Sequence, residues 1–234
     1  MGRPQRVGVI SEIFLRIGNS SLVGLLIVAV SLTSCEATYR PTLTRLDPVG
    51  VNSRKASAQD LIIYVEEYAS TSKSERAFDA NLSELGILPF LVLFENRGKD
   101  EYDLVLVQVK DQFGRSLRLL TPNEAATKAK RGFAREAIGW SLVVPIITIP
   151  VAAGLSVMNA IGENSKISQD FNQKGMGQEP LEPGKRRSGF LFYQLEQDRK
   201  NLSGLIFDLQ VRNKQSNALI TTAIPFPDVP IIRD

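Results

Sequence analysis

Apolar and polar positions alternate in short runs along two stretches of the chain, and the alternation disappears between them. Residues 61–68, Leu-Ile-Ile-Tyr-Val-Glu-Glu-Tyr, are rich in β-branched and aromatic side chains and read as a strand. In Ile87 to Asn96, Phe90, Val92 and Phe94 alternate with Leu91 and Leu93. Both faces of that strand are apolar, which predicts a central position. Asn96-Arg97-Gly98-Lys99-Asp100 is a turn. Tyr102 to Lys110 follows, with Leu104, Leu106 and Gln108 on one face and Val105, Val107 and Val109 on the other. Asp111-Gln112-Phe113-Gly114 turns the chain into Ser116 to Leu120. The pattern resumes after a turn at Leu181 to Gly184, with strands at Ser188 to Leu195, 203–212 and 218–224. A short helix is predicted after the first strand. Ser72 and Glu75 have capping-box spacing, Phe78, Leu82 and Leu85 share a face, and Gly86 supplies a left-handed stop. Short strands separated by turns predict an antiparallel β-sandwich.

Residues 121–176 interrupt it. Thr121, Pro122 and Glu124 form a helix start, and Ala125, Ala126, Ala129, Phe133, Ala134 and Ala137 continue it. Its first half carries Lys128, Lys130, Arg131 and Arg135. No ionisable side chain then occurs from Ala137 to Gly162. As one helix that stretch would run about 39 Å, beyond a bilayer core of about 30 Å. Pro145 and Pro150 argue against a single helix, because each removes a helix hydrogen bond. The expectation is a hairpin: a helix, a bend near 145–150, and a return helix to about Phe171, closed by Gly175 and Gly177. Trp140 stands at the edge of the uncharged zone, where interfacial tryptophans sit. Two readings stand. The hairpin folds onto the sandwich as core, or it presents Trp140, Val144, Pro145, Ile147, Pro150 and Leu155 to a membrane, which it dips into or spans, or to an envelope protein. In the second reading, Lys128, Lys130, Arg131 and Arg135 face anionic head groups at about 1 kcal/mol each.

The N-terminus has its own pattern. Arg3, Arg6 and Arg16 precede an apolar run from Leu22 to Leu32, and no charge lies between Arg16 and Cys35. A basic start, an apolar middle and small residues make the layout of an export signal. The run ends in Leu32-Thr33-Ser34-Cys35, which closely resembles the lipobox of bacterial lipoprotein precursors. That resemblance implies a diacylglycerol thioether on Cys35, cleavage before it, and palmitate-type acylation of the new first residue. Glu36 in place of aspartate implies release to the outer membrane, facing the periplasm. The alternative is an uncleaved transmembrane anchor over Ile17 to Ser34, which is just long enough to span.

The strand pair around Asn96-Arg97-Gly98, Tyr102-Asp103-Leu104 and Gln112-Phe113-Gly114, with Pro183-Gly184 and Gly189-Phe190-Leu191-Phe192 later, resembles the Ig-like accessory domains of envelope lipoproteins. The resemblance covers roughly residues 86–120 and 181–224 and implies no catalytic residues.

Composition narrows the chemistry. The chain of 234 residues has no histidine and one cysteine. His-based triads, imidazole acid–base chemistry, internal disulfides and cysteine zinc clusters are thereby excluded. Three arginines against Glu12 place +2 of the net +3 charge in residues 1–35, so the basic pI gives no nucleic-acid reading. Ser70-Thr71-Ser72-Lys73 matches Ser-x-x-Lys of penicillin-binding proteins, but Ser-Asp-Asn and Lys-Thr-Gly are absent. The pairs Glu66-Glu67 and Glu179 with Glu182 read as exposed charge, and Lys185-Arg186-Arg187 as a solvated turn.

The expected architecture is α+β: an antiparallel Ig-like β-sandwich with an inserted apolar helical hairpin, preceded by a signal helix. Residues 1–34 are the signal peptide, 35–59 a lipidated tether, 60–224 the sandwich with its insert at 121–176, and 225–234 a Pro-rich tail. The expected function is a non-catalytic, membrane-anchored scaffold, adaptor or assembly component. No cofactor and no metal are expected, and the partners are the membrane and an envelope protein or lipid at 138–161. The alternative is a binding protein for a lipid or other apolar ligand, with the insert lining a pocket.

Overall fold

The computed structural model describes residues 39–41, 46, 53–141, 164–196 and 198–231, with the backbone alone over 132–141. All belong to the compact unit Tyr39–Asp234. The elements in order are β1 (Arg54–Ala58), β2 (Leu61–Glu67), α1 (Thr71–Phe78), β3 (Ile87–Asn96), β4 (Tyr102–Lys110), β5 (Leu119–Leu120), α2 (Pro122–Ser141), α3 (residues 164–174), β6 (Arg186–Gln194), β7 (Ile206–Asn213) and β8 (Leu219–Pro225). The chain is thus sheet-rich α+β. One antiparallel sheet has the order β1-β2-β3-β6-β5 and a second has β4-β7-β8.

β3 occupies the middle of the larger sheet, and eight consecutive residues, from Ile87 to Phe94, are buried. Its apolar side chains therefore serve two cores. On one face, Leu88, Phe90, Val92 and Phe94 join Leu61, Ile63 and Val65 against Phe207, Leu209 and Val211 of the smaller sheet. On the other, Ile87 and Leu91 join Phe190 and Phe192 under the helices, against Phe78, Ala125, Ala126, Ala129, Ile167 and Phe171. The layers are three: small sheet, large sheet, helices.

Two local expectations change. α1 ends at Phe78 rather than at Gly86. Asp79 adopts the left-handed conformation (φ 52°) and its N–H closes on Glu75 O. The Ser74 hydroxyl then donates to Ala80 O and accepts from Leu82 N, which turns the chain away from the helix axis. Gly86 (φ 68°) instead opens β3. In β4, the pairing with β7 slips between Leu104 and Leu106. This bulge places Leu104, Val107 and Val109 toward the core and leaves Val105 exposed, so the simple alternation fails after one turn of the pleat.

The segment read as a tether contains β1, which pairs along its length with β2 from Arg54↔Val65 to Ala58↔Leu61. β5, expected over Ser116 to Leu120, is two residues long, with an isolated bridge at Lys110↔Ser116. The tail docks: Leu202 N–H donates to Val229 O and Ile231 N–H to Lys200 O.

Candidate interaction site at the hairpin base

The predicted helix start at Thr121 forms as a capping box. Glu124 N–H donates to Thr121 Oγ1 (3.2 Å), and Glu124 Oε2 accepts from Thr121 N (2.8 Å). Hydrogen bonds donated to the carboxylate by Thr121, from its N–H first and its hydroxyl second, hold the Glu124 carboxyl below its usual range. Arg118 pairs with the same carboxylate. α2 has 20 residues, about 30 Å at 1.5 Å per residue. Three alanines, Ala125, Ala126 and Ala129, bury its first turns because small side chains let the helix approach the phenylalanines of the sheet.

α3 returns beside α2. Asn172 Nδ2 donates to Asn123 Oδ1 (2.8 Å) near the base, and Lys130 Nζ donates to Ser168 Oγ (2.6 Å) farther along. The order 123–172, then 130–168, is that of antiparallel helices. A helix-and-return stem is therefore present, and its base is core.

The ring cluster under it is dense. Phe78 lies 4.7 Å from Phe171, 4.8 Å from Phe190 and 5.5 Å from Phe192. Phe171 and Phe192 stack at 5.2 Å. Beside them, the buried Lys174 donates to Ala77 O (2.5 Å) and Asp170 Oδ2 (2.8 Å), with its ammonium 5.3 Å from the Phe78 ring centre. Tyr39, 7% exposed, donates its hydroxyl to the same Asp170 oxygen at 2.5 Å, and Arg40 N–H donates to Asp79 Oδ2 at 2.6 Å. Burial, followed by the hydrogen bond to Asp170, pushes the Tyr39 phenol well above its ordinary value. The stretch expected to be a loose tether therefore sends residues 39–41 onto the helical layer, and Leu46 packs there too. The Asp170–Lys174 spacing of one helical turn is the trace of this cluster in the sequence; nothing in it points to Tyr39.

The basic row is divided. Lys128 is half-buried and donates to Gln194, and desolvation, then the neighbouring Arg118, lowers its pKa. Lys130 is bound to Ser168. Arg131 is exposed. The side chains of Arg135 and Trp140 lie outside the described residues, as do Cys35, Val144, Pro145, Ile147, Pro150 and Leu155.

The pair Glu66-Glu67, expected to be exposed, is buried at 6% and 3%. Both carboxylates meet one cation: Lys73 Nζ lies 2.9 Å from Glu66 Oε1 and 2.8 Å from Glu67 Oε2. Burial, its largest influence, raises the Glu67 pKa despite Lys73. Burial also lifts Tyr68 to about 12. Lys73 is thus a structural tie between α1 and β2, engaged by two acids. Glu179 and Glu182 are exposed as expected. Within the basic triplet, Arg186 bonds to Glu95 of β3 and Arg187 to Pro180 O. Gly175-Met176-Gly177, expected to close the return helix, is pinned by Met176 N–H to Phe190 O (2.9 Å).

A slot of about 10 Å³ lies between Phe94, Tyr102, Leu104, Leu181, Arg187 and Val211, too small for an organic ligand. An open groove of about 300 Å³ runs along Arg118, Asn123, Glu124, Thr127 and Lys128. Among the described residues, no group of three or more Cys, Asp or Glu is placed to hold a metal, and no helix is long and apolar enough to cross a membrane. No protein-family model matches the chain, and neither a curated protein nor a solved structure does.

Proposed function

We propose that the chain is a non-catalytic envelope lipoprotein, held to a membrane by acylated Cys35, whose helical hairpin is its contact element for an envelope protein or lipid. The observation that carries this reading is the hairpin base. α2 and α3 are fastened into the core by Ala125, Ala126, Ala129, Ile167 and Phe171, and the segment joining them, 142–163, carries only Glu163 as an ionisable side chain. An apolar segment offered from a rigid base is a contact device, because the cost of ordering the base is already met within the fold. The scaffold reading draws support from strand order. β2-β3-β6-β5 against β4-β7-β8 corresponds to the two sheets of an Ig-like sandwich, with β1 as an added edge and the hairpin inserted between β5 and β6. The outer membrane, facing the periplasm, is the location that the lipobox and Glu36 imply.

The test replaces residues 142–163 with a short Gly-Ser connection and leaves α2 and α3 in place. A variant that melts like the parent should remain membrane-bound through Cys35 and lose crosslinks to its envelope partner. Unchanged crosslinks in that folded variant would remove the contact role. In parallel, Cys35→Ala should abolish palmitate labelling and release the protein from membranes.

A further inference from the structure

The groove of about 300 Å³ beside the start of α2 combines the buried, apolar Leu120 with two cations that are each held in place by a second polar group. Arg118, on the approach to β5, pairs with Glu124. Lys128, on the second turn of α2, donates to Gln194 Oε1, and Gln194 Nε2 in turn donates to Leu195 O at 3.5 Å. Glu124 balances one cation, and both of its oxygens are engaged, one by Arg118 and the other by Thr121 N (2.8 Å) and Thr121 Oγ1 (3.0 Å). Arg131, one turn beyond Lys128, adds a further cation. The crowding acts on Lys128: desolvation first, then Arg118 and, after the opposing pull of Glu124, Arg131 lower its pKa. The groove therefore gathers three positive charges against one negative charge.

Its donors are not used up. An ammonium carries three N–H groups and a guanidinium five. Among the described residues, Lys128 spends one on Gln194 and Arg118 one on Glu124. Asn123 also lines the groove; its Oδ1 is taken by Asn172, which leaves its Nδ2 to donate. The end of α2 itself contributes little, because Pro122 has no N–H, Glu124 N–H is given to Thr121 Oγ1 and Ala125 N–H to Thr121 O. We infer that this groove binds a phosphate group of the phosphomonoester class, carried either by a small soluble molecule or by a lipid head group. A tetrahedral dianion offers oxygens to Arg118, Lys128 and Asn123 from different directions and offsets the excess charge, whereas a planar monoanion such as a carboxylate does so only in part. The inference stands whether or not Cys35 is acylated.

The test titrates the purified full chain, in nonionic detergent at constant ionic strength, with inorganic phosphate and with glycerol phosphate, by calorimetry. Saturable binding of both is expected, severalfold tighter than binding of acetate. Arg118→Gln and Lys128→Gln should each weaken it by about tenfold or more, as loss of a charge-assisted hydrogen bond does. Lys99→Gln, at an exposed cation of the 96–100 turn, should leave it unchanged. Thr127 lines the groove, is exposed, and its hydroxyl is bonded back to Asn123 O. Thr127→Glu places a carboxylate there without touching the tie of either cation, and should abolish binding with an unaltered melt. Phosphatidic acid added to the micelles then assigns the source. Competition with glycerol phosphate identifies a lipid head group, and undiminished glycerol phosphate binding identifies a soluble ligand. Absence of saturable phosphate binding by the parent chain overturns the inference. So does binding that persists in folded Thr127→Glu, or that falls equally in Lys99→Gln.

Discussion

Gly189 lies directly beneath the backbone of Met176: a Cβ at 189 would stand 2.6 Å from Met176 Cα and 2.8 Å from its nitrogen. These atoms are main chain, so they cannot swing aside as a side-chain tip would. The approach lets Met176 N–H reach Phe190 O and seals the link from α3 to β6. Gly189→Ala should therefore cost about 1–3 kcal/mol, as overpacking does. A thermal melt lowered by several degrees is the expected result, together with faster amide exchange at Met176.

Tyr193 is completely buried and its hydroxyl has no hydrogen-bond partner among the described residues. Burial alone raises its pKa, with no charge involved. A donor left unsatisfied in the interior costs about 1–3 kcal/mol. Tyr193→Phe removes that group and keeps the ring against Phe90. Stability in urea should be unchanged or higher. A loss of more than about 1 kcal/mol would reveal a partner for the hydroxyl.

The Glu66–Lys73–Glu67 tie predicts a pH dependence of definite sign. At low pH both the folded and the unfolded chain hold the Glu67 proton. As pH rises through the ordinary carboxylate range, the unfolded chain releases it first, because burial raises the folded value. The folded state then binds more protons, and stability falls until folded Glu67 ionises. Glu67→Gln should flatten this fall, with Lys73 still paired to Glu66. Lys73→Met, which leaves both buried acids without their cation, should cost about 3–5 kcal/mol at neutral pH and less in acid. Denaturant midpoints measured at several pH values check both.

Phe78 is the hub of the ring cluster and touches three other rings and the Lys174 ammonium. Phe78→Ala should cost about 3–5 kcal/mol. The loss should register first in α3, because Phe171 packs directly on Phe78. Phe113, in contrast, is 74% exposed, with Arg115 5.5 Å from its ring centre. Phe113→Ser should shift stability by less than about 0.5 kcal/mol.

The strands that line a core were legible, because burial imposes alternation: β2, β3, β4, β6, β7 and β8 all coincide closely with their expected spans. The Thr121–Glu124 capping box was legible for the same local reason. β1 was not. Its Arg-Lys-Ala-Ser-Ala sequence is mostly exposed on an edge, so no apolar period marks it. The burial of Glu66 and Glu67 was hidden too. It depends on Lys73 arriving from the next helix, which periodicity within a strand cannot report. Tyr39 was invisible because its partner Asp170 is 131 positions away.

The five-stranded sheet is a party wall between two rooms. Phe90 and Val92 furnish one side, and Leu91, with Phe190 and Phe192 of the adjoining strand, furnishes the other. If the helices were peeled away, a sheet of phenylalanines would be left facing water, an invitation to stick to any similar surface. Any rearrangement of the insert must therefore begin beyond Ala129 and leave that wall papered over.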